Sequence, residues 1–151
     1  MENKSPSLER TAELYGLFTA IGLILLFLFM KMIGLAQIVE LRALNFFVMG
    51  AGIIFALRSF RKKSDHFNYL NGLALGLFVA IVGSILFAIF VFIYTSFLDP
   101  KFMDYIEATQ PFGRYLNPYM VSVAIIIEGI GSGLILAFIV INYMGLLKRD
   151  P

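Results

Sequence analysis

Residues 70–97 have the sequence LNGLALGLFVAIVGSILFAIFVFIYTSF, which contains no charged side chain. A helix needs about 20 mostly apolar residues to cross the hydrocarbon core of a bilayer. Because this stretch is longer than that, we expect a membrane-spanning helix that tilts or extends beyond the bilayer. The turn signal Asp99-Pro100 follows directly and ends it.

Three further apolar stretches have the same character, at residues 14–33, 41–57 and 119–147. We therefore predict an all-α, polytopic membrane protein in which residues 1–151 form a single domain of four transmembrane helices. None of the four stretches contains a proline, so the broken helices that build many transporter sites are not indicated.

The composition agrees with a membrane protein and excludes several kinds of chemistry. Hydrophobic residues make up 60% of the chain and charged residues 15%, and the mean hydropathy is +0.86. The absence of cysteine excludes disulfides, thiolate metal sites and thiol nucleophiles. A single histidine, His66, argues against a histidine-based metal site. We expect no metal, no cofactor and, with a net charge of only +2, no nucleic-acid partner.

The distribution of lysine and arginine predicts the orientation, because cytoplasmic loops of membrane proteins are enriched in them. With both termini in the cytoplasm, the inner set is Lys4, Arg10, Arg58, Arg61, Lys62, Lys63, Lys148 and Arg149. The outer set is then the smaller one, Lys31, Arg42, Lys101 and Arg114.

The basic residues at the inner helix ends most simply fix this orientation and contact anionic lipid headgroups. They are Arg58, Arg61, Lys62, Lys63, Lys148 and Arg149. A docking patch for a cytoplasmic partner is the alternative interpretation.

Small residues recur at every fourth position and predict close helix packing, since membrane helices associate through close backbone approach. The third span has an unbroken row of five, Gly72, Gly76, Ala80, Ser84 and Ala88. The fourth span has a shorter row, Gly129, Gly133 and Ala137. The spacing leaves open whether the partner helix belongs to the same chain or to another.

Glu128 is the one acidic residue inside a long apolar stretch. A charge near the bilayer centre is costly, so Glu128 should face the bundle and be either protonated or paired. Depth along the spans favours an ion pair with Lys31, with Asn45 completing the hydrogen bonds and Ser132 sharing the same face. Glu128 then has three possible roles: a structural contact, a proton- or cation-coupling carboxylate, or a contact to another protein.

The loop between the third and fourth spans should contain a short helix that starts at Asp99-Pro100, with Asp99 as its N-cap. Phe102, Met103 and Ile106 would form its apolar stripe. The stripe is typical of a helix lying on the outer membrane surface, and equally of one packed on the rim of the bundle.

The chain resembles a bacterial inner-membrane family catalogued as domain of unknown function 4199, common in Bacteroidota. The resemblance rests on Tyr15-Gly16-Leu17, Asn71-Gly72, Phe97-Leu98-Asp99-Pro100, Glu128-Gly129 and Lys148-Arg149. It implies a four-span fold in the inner membrane and provides no catalytic residue.

Three functions are compatible with these features. The best supported is a non-catalytic accessory, scaffold or assembly subunit, embedded in the lipid bilayer as a homo-oligomer or with a partner membrane protein. The alternative is a small oligomeric transporter or channel that uses Glu128 as its coupling carboxylate. A lipid-modifying enzyme fits less well, because its acidic cluster at one membrane face is missing and no nucleophile–histidine arrangement is available.

Overall fold

A computed structural model describes residues 7–36, 42–64 and 67–146, which form helices and no strand. The five α-helices are α1 (Leu8–Met32), α2 (Leu44–Lys63), α3 (Tyr69–Ile93), α4 (Pro100–Thr109) and α5 (Pro118–Leu146). A π-helical turn, Tyr94–Leu98, extends α3, and a 3₁₀ turn, Gly113–Tyr115, precedes α5. Of the residues named above, Lys4, His66, Lys148 and Arg149 lie outside the described residues, as do positions 41 and 147 at the ends of two predicted spans.

Four of these helices are long and apolar enough to cross a membrane. Each predicted span is present as a helix, so the chain has the predicted all-α, four-span architecture. Polar residues define where the helices begin: Ser7 accepts from the backbone N–H of Arg10 at 3.2 Å and Asn68 from that of Asn71 at 2.8 Å. These caps satisfy N–H groups that have no partner inside the helix.

Helix α3 lies at the centre of the bundle and packs against α1, α2 and α5. The side chains of Ile53, Leu57, Leu75 and Val79 are fully buried and form the middle of the core. The first half of α2 has open space beside it, and the functional candidates lie there. This end of the bundle, where α4 lies, is called the outer end after the orientation that the sequence predicts.

The seam between α3 and α5 is built from the small residues of both helices. Gly76 lies against Ala137, where a Cβ added to the glycine would be 2.6 Å from the alanine Cβ. One helical turn further out Gly133 meets Ala80, and one turn beyond that Gly129 meets Ser84. The partner of the α3 row is therefore α5 of the same chain.

Helix α4 packs on the outer rim of the bundle. Its Phe102 and Met103 are buried, with 7% and 6% of their surfaces exposed. The Phe102 ring lies 5.7 Å from that of Phe27 in α1, in an edge-to-face arrangement. The sequence left two placements open for this helix, on the membrane surface or on the rim of the bundle. The structure has α4 on the rim, where it covers the ends of α1 and α3.

Candidate functional site: an outer cavity with an ion pair

Lys31 and Asp99 form an ion pair that fastens the start of α4 to α1. The Lys31 Nζ donates to Asp99 Oδ2 at 2.6 Å, and both side chains are about 30% exposed. The ammonium also lies 4.5 Å from the centroid of the Phe102 ring. Asp99 precedes α4, but its side chain makes no capping hydrogen bond. The hydrogen bond from Lys31 holds the pKa of the Asp99 carboxyl below its ordinary value.

Glu128 has a different partner from the one expected. Arg42 Nη2 donates to Glu128 Oε2 at 2.7 Å. The predicted Lys31–Glu128 pair is wrong, since each of these residues binds another partner. Glu128 also does not point into the packed interior: 62% of its side chain and 44% of the Arg42 side chain are exposed.

The position of α2 explains the exchange of partners. Arg42 is level with Glu128, and eight residues further along both helices Gly50 meets Leu136. Glu128 lies nine residues along α5 from Tyr119, or about 14 Å at 1.5 Å per residue. Arg42 therefore lies well below the outer end of α5, although the sequence had placed it with the outer residues. Helix α2 has 20 residues and α5 has 29, so α2 is about 14 Å shorter than its neighbour.

The short α2 leaves a cavity of about 720 Å³ above its start. The outer halves of α1, α3 and α5 form its sides, and α4 with the segment that follows forms its roof. Its walls are mainly aromatic and aliphatic, including Phe27, Phe46, Phe87, Phe102 and Ile125. A volume of this size is typical of sites for small organic molecules.

The polar residues of the cavity lie in two places, around the Arg42–Glu128 pair and in the roof, where Tyr105, Thr109 and Gln110 contribute. Arg42, Glu128, Asn45, Ser132 and Ser84 all contribute to the lining. Glu128, Asn45 and Ser132 thus lie together as members of the predicted polar cluster, whereas Lys31 lies at the rim with Asp99. Arg42 and Ser84 also line this end of the cavity, although the sequence did not place them in the polar cluster. The short apolar stretch after Arg42 is the one signal in the sequence that could have indicated the depth of Arg42.

Three of these side chains differ in their hydrogen bonding. Ser132 Oγ donates to the backbone carbonyl of Gly129 at 3.2 Å. The Asn45 amide makes no hydrogen bond to another described residue. Ser84 is 1% exposed, and its hydroxyl has no partner among the described residues. The cavity therefore has hydrogen-bonding capacity that the described part of the chain does not use.

A second cavity of about 800 Å³ lies at the inner end of the same cleft between α2 and α5. Its basic residues are Arg58, Arg61 and Lys62, and Tyr143 closes one side. Lys63 lies at the end of α2 and is exposed. The Gly50–Leu136 contact separates the two cavities.

Within residues 7–36, 42–64 and 67–146, no three His, Cys, Asp or Glu side chains lie close enough together to hold a metal ion. The charges around the outer cavity instead join helices in pairs, α1 to α4 and α2 to α5.

The family described as "Protein of unknown function (DUF4199)" matches residues 14–112, about two thirds of the chain. The protein belongs to this family. The match includes Lys31, Arg42, Asn45 and Ser84, whereas α5 with Glu128 lies beyond it. No curated protein and no solved structure matches the chain.

Proposed function

We propose that this protein is a non-catalytic accessory or assembly subunit of the bacterial inner membrane, with both termini in the cytoplasm, that works by holding a hydrophobic molecule in its outer cavity. The observation that carries the proposal is the 720 Å³ cavity itself, with mainly apolar walls and a small number of polar groups. Pockets that bind small molecules have this combination of large apolar surface and a few polar groups.

The two ion pairs support a binding role over a catalytic one. Glu128 accepts from Arg42, and Asp99 accepts from Lys31. A general base must be able to take a proton from its substrate. A carboxylate paired with a cation in each case is better suited to joining helices than to that task.

The binding proposal can be tested by filling the cavity. Ala124 lines it on α5, so Ala124→Trp should occupy part of the space. Ala51 on α2 is exposed and lies outside both described cavities, which makes Ala51→Trp a matched control. Purified protein in nanodiscs is titrated with an apolar fluorescent probe, N-phenyl-1-naphthylamine, against empty nanodiscs.

We expect saturable binding that Ala124→Trp abolishes and Ala51→Trp retains, with similar thermal unfolding of the two variants. Equal binding to both variants, or none above empty nanodiscs, would contradict a cavity that holds ligands.

The accessory role predicts a partner, which is either a second copy or another membrane protein. Affinity purification from native membranes in mild detergent, followed by mass spectrometry of the intact complex, measures this. A stoichiometric foreign subunit or a homo-oligomer is the expected result, and a monomer at native abundance would contradict the assembly role.

The second candidate is an oligomeric transporter that uses Glu128. It is favoured by the two cavities on either side of the Gly50–Leu136 contact, in one cleft. In liposomes with a pH gradient, this function requires proton-linked flux that Glu128→Gln abolishes without lowering stability. The absence of flux through the unaltered protein would leave the binding role in place.

A further inference from the structure

The outer cavity has its charged pair at the inner end, with Asn45 and Ser132 beside it, and mainly apolar walls. Glu128 is about 14 Å from the level of Tyr119 and about 22 Å from that of Tyr143, counted along α5. Tyrosine side chains prefer the headgroup level, so the Arg42–Glu128 pair lies in the hydrocarbon region, somewhat outside its middle. A phospholipid headgroup anchored at the surface would not reach this depth, whereas the head of a hydrophobic lipid can.

The charges at this end are balanced. One guanidinium faces one carboxylate, and no other described lining residue of the cavity is an acid or a base. A ligand with a net charge would have to break the pair and leave one partner uncompensated in a low-dielectric site, which is costly. An uncharged ligand leaves the pair intact.

The groups available to such a ligand are mainly hydrogen-bond donors. The Asn45 amide has two N–H donors and no partner in the described part of the chain, whereas the Ser84 hydroxyl, also unpaired there, is buried against Gly129 between α3 and α5 and out of reach of a ligand. Arg42 is 44% exposed and has further N–H groups beyond the one that binds Glu128. Carbonyl oxygens on the ligand would satisfy these donors.

The aromatic walls of the outer cavity favour a ligand that contains a flat ring. Phe27, Phe87, Phe102 and Tyr105 surround the space above the polar groups, and Phe46 lies beside Asn45 at their level. Aromatic side chains stack on or meet the edges of planar rings at centroid distances of 4.5–7 Å. An alkyl or prenyl tail would pass between α2 and α5, where exposed Phe47 and Ala124 lie at the cavity edge.

We propose that the outer cavity binds an uncharged membrane lipid whose head is a ring bearing carbonyl groups, a quinone with an alkyl or prenyl tail. The inference deepens the proposed function and rests on it. It involves binding only, with no electron transfer to or from the protein.

The experiment compares ligands that differ only in the head. Purified full-length protein in nanodiscs is titrated by calorimetry with a decyl-substituted benzoquinone, decanol, decanoate and decyltrimethylammonium. We expect the quinone to bind at least about tenfold more tightly than decanol and both charged ligands. Equal binding of decanol would show that the ring and its carbonyls are not recognised, and tighter binding of either ion would overturn the charge argument.

Asn45→Leu tests the hydrogen bond directly. It should weaken quinone binding by about tenfold, as expected for one lost hydrogen bond in a site of low dielectric. Binding of N-phenyl-1-naphthylamine, which has no carbonyl, should not change. Unchanged quinone affinity in Asn45→Leu would refute the assigned contact.

Failure of this inference differs from failure of the proposed function. If the naphthylamine probe binds and the quinone does not, the cavity holds ligands of another class and the quinone assignment is wrong. If neither binds, both are wrong.

Discussion

Replacing Gly133 by alanine tests the seam on which the whole bundle depends. Gly133 lies against Ala80, and a Cβ added to it would overlap the alanine methyl group. Both residues are buried between α3 and α5, so the helices must move apart to admit one carbon atom. Overpacking of this kind typically costs about 1–3 kcal/mol. We therefore expect Gly133→Ala to lower the free energy of unfolding by about 1–3 kcal/mol.

Gly131, two residues away on the same helix, is a matched control. A Cβ added there has no neighbour within 4 Å. Gly131→Ala should leave stability unchanged or raise it by up to about 1 kcal/mol, because alanine is the better helix former. The two variants differ in packing and not in the chemical change.

The assay is equilibrium unfolding in mixed micelles by titration with sodium dodecyl sulfate, followed by circular dichroism. Ala80→Gly combined with Gly133→Ala should recover most of the lost stability, since it removes the opposing methyl group. If Gly133→Ala and Gly131→Ala unfold at the same detergent fraction, or if Ala80→Gly fails to compensate, α5 does not approach α3 through this face.

Three further predictions concern the charged and aromatic groups. Glu128→Gln should lower thermal stability by leaving the Arg42 charge unpaired; adding Arg42→Gln should restore part of it, whereas Lys31→Met should not, as measured by thermal unfolding in detergent. Because hydrogen bonding from Lys31 lowers the pKa of Asp99, the pair contributes stability above the ordinary value of 3.8 and loses it as the pH falls below that value. Asp99→Asn should flatten the pH profile of unfolding in this acid range, and an unchanged profile would contradict the assignment. Phe102→Ala should destabilise the protein by about 3 kcal/mol and expose α4 to limited proteolysis, because it removes the buried ring through which α4 packs against Phe27 and Tyr94.

Much of the fold follows from local patterns along the chain. Long apolar stretches without charges give four spanning helices wherever they occur, because a bilayer leaves the backbone no alternative to internal hydrogen bonding. The helix starts are equally local, since Ser7 and Asn68 act on N–H groups three residues away. The rows of small residues in α3 and α5 are also a local pattern, because they follow a spacing of four residues. The spacing did not identify which helix packs against each row.

The candidate site is different, because its contacts join residues far apart in the chain. Arg42 and Glu128 are 86 positions apart, and Lys31 and Asp99 are 68 apart. Counting residues from the predicted span ends placed Arg42 at the outer surface and Glu128 near Lys31. Counting residues gives no information on how far α2 is shifted along its axis relative to α5. That shift depends on the packing of the two helices, where Gly50 contacts Leu136.

The sequence by itself determined the membrane class, the number of spans and the rows of small residues, because each depends on neighbours within one helix. The tertiary structure decided the partners of the four charged residues, the placement of α4 on the rim and the existence of the outer cavity. These depend on the relative levels of packed helices, and a short α2 beside a long α5 produces the cavity only once both are in place.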